Sequence, residues 1–298
     1  MNPLIILILI ILLIEDGGVW PYLEMVLPWL AFVFGLLIGS FLNVCICRLP
    51  KGESIVTPRS RCPQCWHGIP WYENIPLLSY LVLRGRCRAC GVRISRQYFV
   101  VELLTGLLFA GLAAYFGPTL ELLKYAVFGS LMLALTVIDL RERILSDELT
   151  FAGLVLGVAF SAVVMLGDGS AQLLTGRLGD LPAPLLSILD ALLGAAVGSA
   201  ALWLVREAYF LWRKVEGMGF GDLKLMAAIG AFLGPKLTLL TIFLGSLAGS
   251  LLGGAFILLY RNRDTRYELP FGSFLGAMAL FSALWGKEIV RWYLSQLL

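Results

Sequence analysis

The sequence predicts an all-α, polytopic membrane protein of about eight transmembrane helices, interrupted by one small cysteine-bearing loop domain. Three observations predict it. Of 298 residues, 59% are hydrophobic and only 14% are charged, against about 25% charged in an ordinary soluble domain. The apolar residues come in long runs of the kind that span a bilayer. Eighteen of the 23 Lys and Arg residues gather in four loops between those runs.

The first apolar run, Leu4 to Ile14, has eleven residues. As a helix it reaches about 16 Å, roughly half a hydrocarbon core. It has no basic region before it and no small-residue cleavage site after it, so it reads as an interfacial or re-entrant segment rather than a secretory signal. Eight longer segments follow, near residues 25–47, 98–116, 121–139, 148–166, 184–206, 221–235, 237–260 and 271–290. The sixth is short. Gly117-Pro118 and Gly234-Pro235 mark tight turns between spans. Gly194 with Gly198, and Gly245, Gly249 and Gly253, recur every four residues. That spacing lets helix backbones approach closely in lipid and implies packing, not chemistry.

Charge orients the chain. Loop 48–97 carries nine basic residues; Arg141 and Arg143, then Arg206, Arg213, Lys214 and Lys224, then Arg261, Arg263 and Arg266 supply the rest of the eighteen. With eight spans these loops share one side, which the positive-inside rule makes cytoplasmic, and both termini face outward.

Four of the six cysteines sit in the first basic loop, as Cys62-Pro63-Gln64-Cys65 and Cys87-Arg88-Ala89-Cys90. Two residues between cysteines let both thiolates of a knuckle reach one ion, and two such knuckles are a tetrahedral zinc signature. A disulfide would be reduced on the cytoplasmic side. Four sulfurs leave no position for water, so the zinc is expected to be structural. It would staple a loop too small to build its own core. The competing reading is a set of free or redox thiols. His67 reads as a polar loop residue, and Cys45 and Cys47 as helix or lipid neighbours.

Two carboxylates stand at membrane depth. Asp139 closes the largely apolar run Ala126–Ile138. Asp222 follows Gly217-Met218-Gly219-Phe220-Gly221 and opens the next apolar segment. Both fall at the cytoplasmic edge. Ionisable groups near lipid are costly and default to a functional hypothesis. The plain alternative is a pair of interfacial caps, for which a helix N-terminus suits Asp222. Gly219 and Gly221 favour chemistry instead, because glycine permits unusual backbone and lets a substrate strand come close. The stretch is not a phosphate-binding loop, since Lys224 does not stand where that motif needs its lysine.

At these residues the chain resembles the type IV prepilin peptidases, bifunctional leader peptidases and N-methyltransferases. Gly39-Ser40-Phe41-Leu42-Asn43-Val44 with Arg48-Leu49-Pro50 is similar to the family's opening motif. The cysteine knuckles flank Glu73-Asn74-Ile75-Pro76, and Ile94-Ser95, Tyr98 and Val101-Glu102-Leu103-Leu104-Thr105 follow in family order. Asp139 matches the first catalytic aspartate. Gly219-Phe220-Gly221-Asp222-Leu223-Lys224 matches G-x-G-D-x-K with the second, and Pro270-Phe271-Gly272 matches a late motif. Three positions depart: Ser146, Phe99 and Ser273 stand where the family often has proline.

The resemblance implies an intramembrane aspartic endopeptidase of the bacterial inner membrane with catalytic Asp139 and Asp222. Its site motif would be Gly219, Gly221 and Lys224, with zinc on Cys62, Cys65, Cys87 and Cys90. The chain then divides into an N-terminal segment with the first span (1–47), a cytoplasmic zinc-binding loop domain (48–97) and the transmembrane peptidase domain (98–298). The implied partners are membrane lipid and prepilins or pseudopilins with a basic leader and an apolar helix; no nucleic acid is expected. The resemblance also implies methylation of the new N-terminus with S-adenosylmethionine, for which the region of Asn43, Glu73 and Glu102 is the place to search. Two close carboxylates share one proton, and the helix dipole assigns the negative charge to Asp222 rather than Asp139. The rival reading is a proton-coupled transporter with the aspartates as a relay; a third is a non-catalytic zinc-loop scaffold.

Overall fold

The structure is a computed structural model describing residues 20–175, 181–215, 217–259 and 270–297. The Leu4–Ile14 run and Arg261, Arg263 and Arg266 lie outside them. The described residues form ten α-helices: α1 (Trp20–Arg48), α2 (Leu78–Val82), α3 (Arg96–Phe116), α4 (Leu120–Glu142), α5 (Asp147–Ser161), α6 (Ser170–Thr175), α7 (Ala183–Arg213), α8 (Phe220–Leu233), α9 (Pro235–Leu259) and α10 (Phe271–Leu297). The described residues contain no sheet, only two isolated bridges in the cysteine loop. The chain is thus all-α, as its apolar runs predict.

Six helices are long and apolar enough to cross a membrane: Leu23–Lys51, Arg96–Phe116, Leu120–Glu142, Ala183–Arg213, Pro235–Ala255 and Phe271–Gln296. The eight expected spans are therefore six long helices and two short ones. Helix α5 has 15 residues and α8 has 14, which reach only about 22 and 21 Å of a roughly 30 Å core. Helix α8 is apolar for another reason. Leu225, Met226, Ala228, Ile229, Ala231 and Phe232 are fully buried, so it is clad in protein on every side, and hydropathy alone cannot separate that burial from burial in lipid.

Backbone contacts divide the chain into two compact units, one of residues 1–44 and 56–126, the other of 45–55 and 127–298. In the first unit α1 lies against α3 at glycine contacts. A Cβ at Gly35 would fall 2.7 Å from Thr105 O, and one at Gly39 would fall 2.7 Å from Glu102 Cα. Buried Glu102 accepts the Leu77 N–H at 2.8 Å. Asn43 donates to Tyr98 O at 3.1 Å. These bonds tie helix ends to the cysteine loop.

In the second unit α8 is the central element, touching α5, α7, α9 and α10. Gly194 of α7 faces Gly230 of α8 with no room for a side chain on either, and a Cβ at Gly198 would lie 2.7 Å from Met226 O. The small-residue spacing of α7 thus packs against α8. On α9, Gly245 faces Leu275 of α10. The turn at Gly234 has φ 78° and ψ 171°, a region reserved to glycine, and its N–H closes α8 on Gly230 O.

Gly230→Ala is expected to force α7 off α8 and destabilise the protein by about 1–3 kcal/mol. Gly254→Ala, which meets open space, is expected to be neutral or slightly stabilising. Thermal unfolding in detergent, followed by circular dichroism, compares the two; equal midpoints would refute the contact.

Candidate active site

Three helix ends in the second unit carry the site. Asp139 lies in the last turn of α4, whose end is set by the Arg143 N–H donating to Asp139 O at 2.9 Å. Asp222 is the third residue of α8 and Gly272 the second of α10. A Cβ added at Gly272 would fall 3.1 Å from Asp139 Oδ2 and 3.2 Å from Asp222 Oδ1. Two acids 83 residues apart in sequence therefore share one neighbouring point, and their carboxyl oxygens are separated by no more than those two distances together.

They line a groove of about 710 Å³ with Leu145, Gly219, Gly221 and Phe271. The volume is in the range of a ligand or peptide site. Asp139 is buried, with its Oδ2 accepting the Ser273 N–H at 2.6 Å and the Ser273 hydroxyl at 2.7 Å. Asp222 is half-buried, and its carboxyl takes no hydrogen bond from a described residue. This corrects the dipole argument that put the charge on Asp222. A helix-end dipole contributes about 0.3–1 kcal/mol, whereas a hydrogen bond to a charged group contributes about 1.5–3 kcal/mol, and both such donors stand at Asp139.

The glycines act through space rather than torsion. Gly219 is extended, with φ −75° and ψ 154°, and a Cβ there would meet nothing closer than 3.9 Å. Neither Gly219 nor Gly221 has a positive φ, contrary to the backbone freedom expected of them. At Gly221 a Cβ would press on Leu145 Cβ at 3.1 Å, so its bareness allows a close approach. Lys224 turns to Asp147, 2.7 and 2.8 Å from its two carboxylate oxygens. Helix α7 braces the glycine segment. Arg206 donates to Met218 O at 3.2 Å, and its guanidinium lies 4.0 Å from the Phe220 ring centroid.

Gly272, Ser273, Arg206 and Leu145 were not read from the sequence as site residues. The signal for Gly272 was present. A glycine inside a helical first turn is unfavourable by about 1 kcal/mol relative to alanine, and without a positive φ its reason is a close neighbour.

In the first unit, the two cysteine knuckles share one backbone pattern. Cys62 N–H donates to His67 O and Cys87 N–H to Val92 O, both at 2.9 Å. The fifth residues, Trp66 and Gly91, both take positive φ. All four sulfurs lie within 4.8 Å of one another. Cys62 and Cys90 are 3.8 Å apart, and Cys65 and Cys87 4.0 Å. A zinc with 2.3 Å bonds to four sulfurs needs edges of about 3.8 Å, so the cluster fits tetrahedral zinc. His67 is exposed and outside the cluster. The Cys62 thiol is lowered to about 6 by the N–H groups of Cys65 and Gln64, which favours the thiolate a metal needs.

One zinc per chain is expected by atomic emission. Protons compete for the thiolates, so zinc should be held near neutrality and released in acid. Cys62→Ser should lower its retention; full zinc content in that variant would exclude a four-sulfur site.

Known proteins place these residues in context. Residues 33–116 match the Bacterial Peptidase A24 N-terminal domain, and residues 126–254 match the Type IV leader peptidase family. A prepilin leader peptidase/N-methyltransferase of Aeromonas hydrophila is 39% identical over 300 residues, covering 91% of this chain and 97% of that protein. The proteins of the same name from Myxococcus xanthus (strain DK1622) and Pseudomonas aeruginosa are 43% and 36% identical, over 80% and 89% of this chain and 65% and 94% of theirs. No solved structure matches. With both domains matched in order and close to the whole chain aligned, the protein belongs to the type IV leader peptidase family.

Proposed function

We propose that this chain is an intramembrane aspartic endopeptidase that removes the leader from type IV prepilins or pseudopilins at the cytoplasmic membrane face. The observation that carries the reading is the convergence of Asp139 and Asp222 on Gly272 at the groove. The names of the relatives support the substrate class. None of the relatives named above is a transporter, and nothing in the site favours the relay reading.

Two carboxyl groups this close hold one proton between them. The ionised aspartate takes a proton from a water molecule, whose oxygen attacks the scissile carbonyl carbon. The protonated aspartate gives its hydrogen to the carbonyl oxygen. The tetrahedral intermediate collapses with cleavage of the C–N bond, the amine nitrogen takes up a proton, and the acids are left sharing one again. No step passes through a covalent enzyme intermediate. His67, the chain's single histidine, lies in the zinc loop and offers no base to a serine.

We assign this chemistry to residues 98–298, with 48–97 as the zinc-stapled loop. Gly219 and Gly221 leave the groove bare for the substrate backbone, and Lys224 with Asp147 flanks it. We extend the N-methyltransferase part of the relatives' names to this chain, with S-adenosylmethionine as donor. The cavity lined by Glu73 is about 90 Å³ and Glu73 pairs with Arg88 at 2.8 Å; that cavity alone is too small for a molecule of the donor's size, which needs about 300 Å³ or more, and neither Asn43 nor Glu102 lines it.

With the protein in detergent and a peptide bearing a basic leader and an apolar segment, Asp139→Ala and Asp222→Ala are each expected to abolish cleavage while leaving zinc content and the helical circular dichroism spectrum unchanged. Cleavage by either variant at the unmodified rate would sink the proposal. Gly272→Ala, which must push both carboxyls by a few tenths of an ångström, is expected to lower kcat about 10- to 100-fold. Mass spectra of the product would show the cut and any added methyl group.

A further inference from the structure

Ser273 is the third residue of α10 and is buried. An N–H in the first turn of a helix has no partner within that helix. This one is satisfied by Asp139 Oδ2, 2.6 Å away. The Ser273 hydroxyl lies 2.7 Å from the same oxygen and 3.1 Å from Thr136 O, one turn before Asp139. A hydroxyl carries one hydrogen, so it donates to one of these acceptors at a time.

Two arrangements satisfy every group. With Asp139 ionised, the hydroxyl donates to Oδ2. With a proton on Oδ2, the carboxyl donates to Ser273 Oγ, and the serine hydrogen turns to Thr136 O. The two arrangements differ by the proton on Oδ2, which the dyad gains from water and gives up to substrate; the serine keeps its own hydrogen, and only its O–H bond rotates. Throughout, the N–H holds Oδ2 in place, and Oδ1 takes no hydrogen bond from a described residue.

We propose that Ser273 is the positioning residue of Asp139, holding its carboxyl through Oδ2 and switching between Asp139 and Thr136 as the aspartate gains and loses its hydrogen. The inference rests on the aspartic peptidase reading and deepens it. Over a cycle in which the dyad passes a proton to substrate and regains one, a fixed donor would suit only one state of Asp139. A hydroxyl suits both.

Three substitutions separate the parts. Ser273→Ala removes the hydroxyl and keeps the N–H. Ser273→Pro removes both donors in a helical turn that tolerates proline. Ser273→Thr keeps both. In the peptide-cleavage assay Ser273→Ala is expected to lower kcat roughly 10- to 100-fold with KM unchanged. Ser273→Thr should match the unmodified chain, and Ser273→Pro, which puts back the residue the family often has here, is read by the resonance below. An unchanged kcat in Ser273→Ala, or a rise in KM alone, overturns the inference. A second readout needs no turnover. In carbon-13 carboxyl spectra of labelled protein, the Asp139 resonance, assigned by its loss in Asp139→Asn, should move in Ser273→Ala and Ser273→Pro and stay in Ser273→Thr. If the unmodified chain cleaves no peptide, the peptidase reading fails on that result, and the resonance decides the role of Ser273 alone. A resonance unmoved in Ser273→Pro overturns it.

Discussion

Two carboxyl groups repel each other when ionised and lose hydration when buried, so bringing them to one point opposes folding unless packing compels it. Here the compulsion is steric. The ends of α4, α8 and α10 meet at Gly272, and a Cβ there would press on an oxygen of each carboxyl, at 3.1 and 3.2 Å. The rest of the second unit serves that meeting. Helix α8 is locked by apolar burial from Leu225 to Phe232 and by the Gly194–Gly230 contact with α7. Rigid elements hold reacting groups more closely than loops do. Of the connecting segments at the groove, residues 217–219 are pinned from α7 by Arg206.

The cysteine cluster solves a different problem with similar economy. Some 50 residues of basic loop cannot bury enough apolar surface to fold alone. Two knuckles of the same backbone pattern bring four sulfurs to tetrahedral distances, and a metal held there would supply the missing cohesion. Glu102 and Asn43 then fasten the loop's flanks through backbone groups at Leu77 and Tyr98. One oxygen of Glu102 is thereby engaged in structure.

Much of this was legible because it is local. Apolar runs give the helices, C-x-x-C spacing gives the metal cluster, and the glycine segment singles out Asp222. Six of the eight expected spans are long apolar helices; α5 and α8 are shorter than a span needs, and α8 is apolar because most of it is buried in protein. The role of Gly219 and Gly221 was misread because torsion is the usual reason for glycine, while here the reasons are an open groove and the proximity of Leu145. The dipole argument for Asp222 failed because the stronger influence on the pair is a donor 134 residues beyond Asp139. Ser273 stood out in the sequence only as a departure from proline. No pattern within a short window shows that its two donors reach another helix.

The geometry around the dyad also separates hydrolysis from proton relay. A relay needs polar groups leading away from the acids toward the far face of the membrane. Beyond Asp222, α8 presents Leu225, Met226, Ile229 and Phe232, and on the far side of Asp139, α4 presents Ile138, Leu135, Met132 and Phe128, all unexposed or nearly so. Thr136 Oγ1 is buried without a partner to pass a proton to, and the hydroxyls of Thr238 and Thr241 are spent on carbonyls of their own helix. Among the described residues the acids thus meet polar space on the groove side and apolar packing behind. Both acids line one groove of about 710 Å³, wide enough for a peptide and water together, which is the arrangement a hydrolase needs.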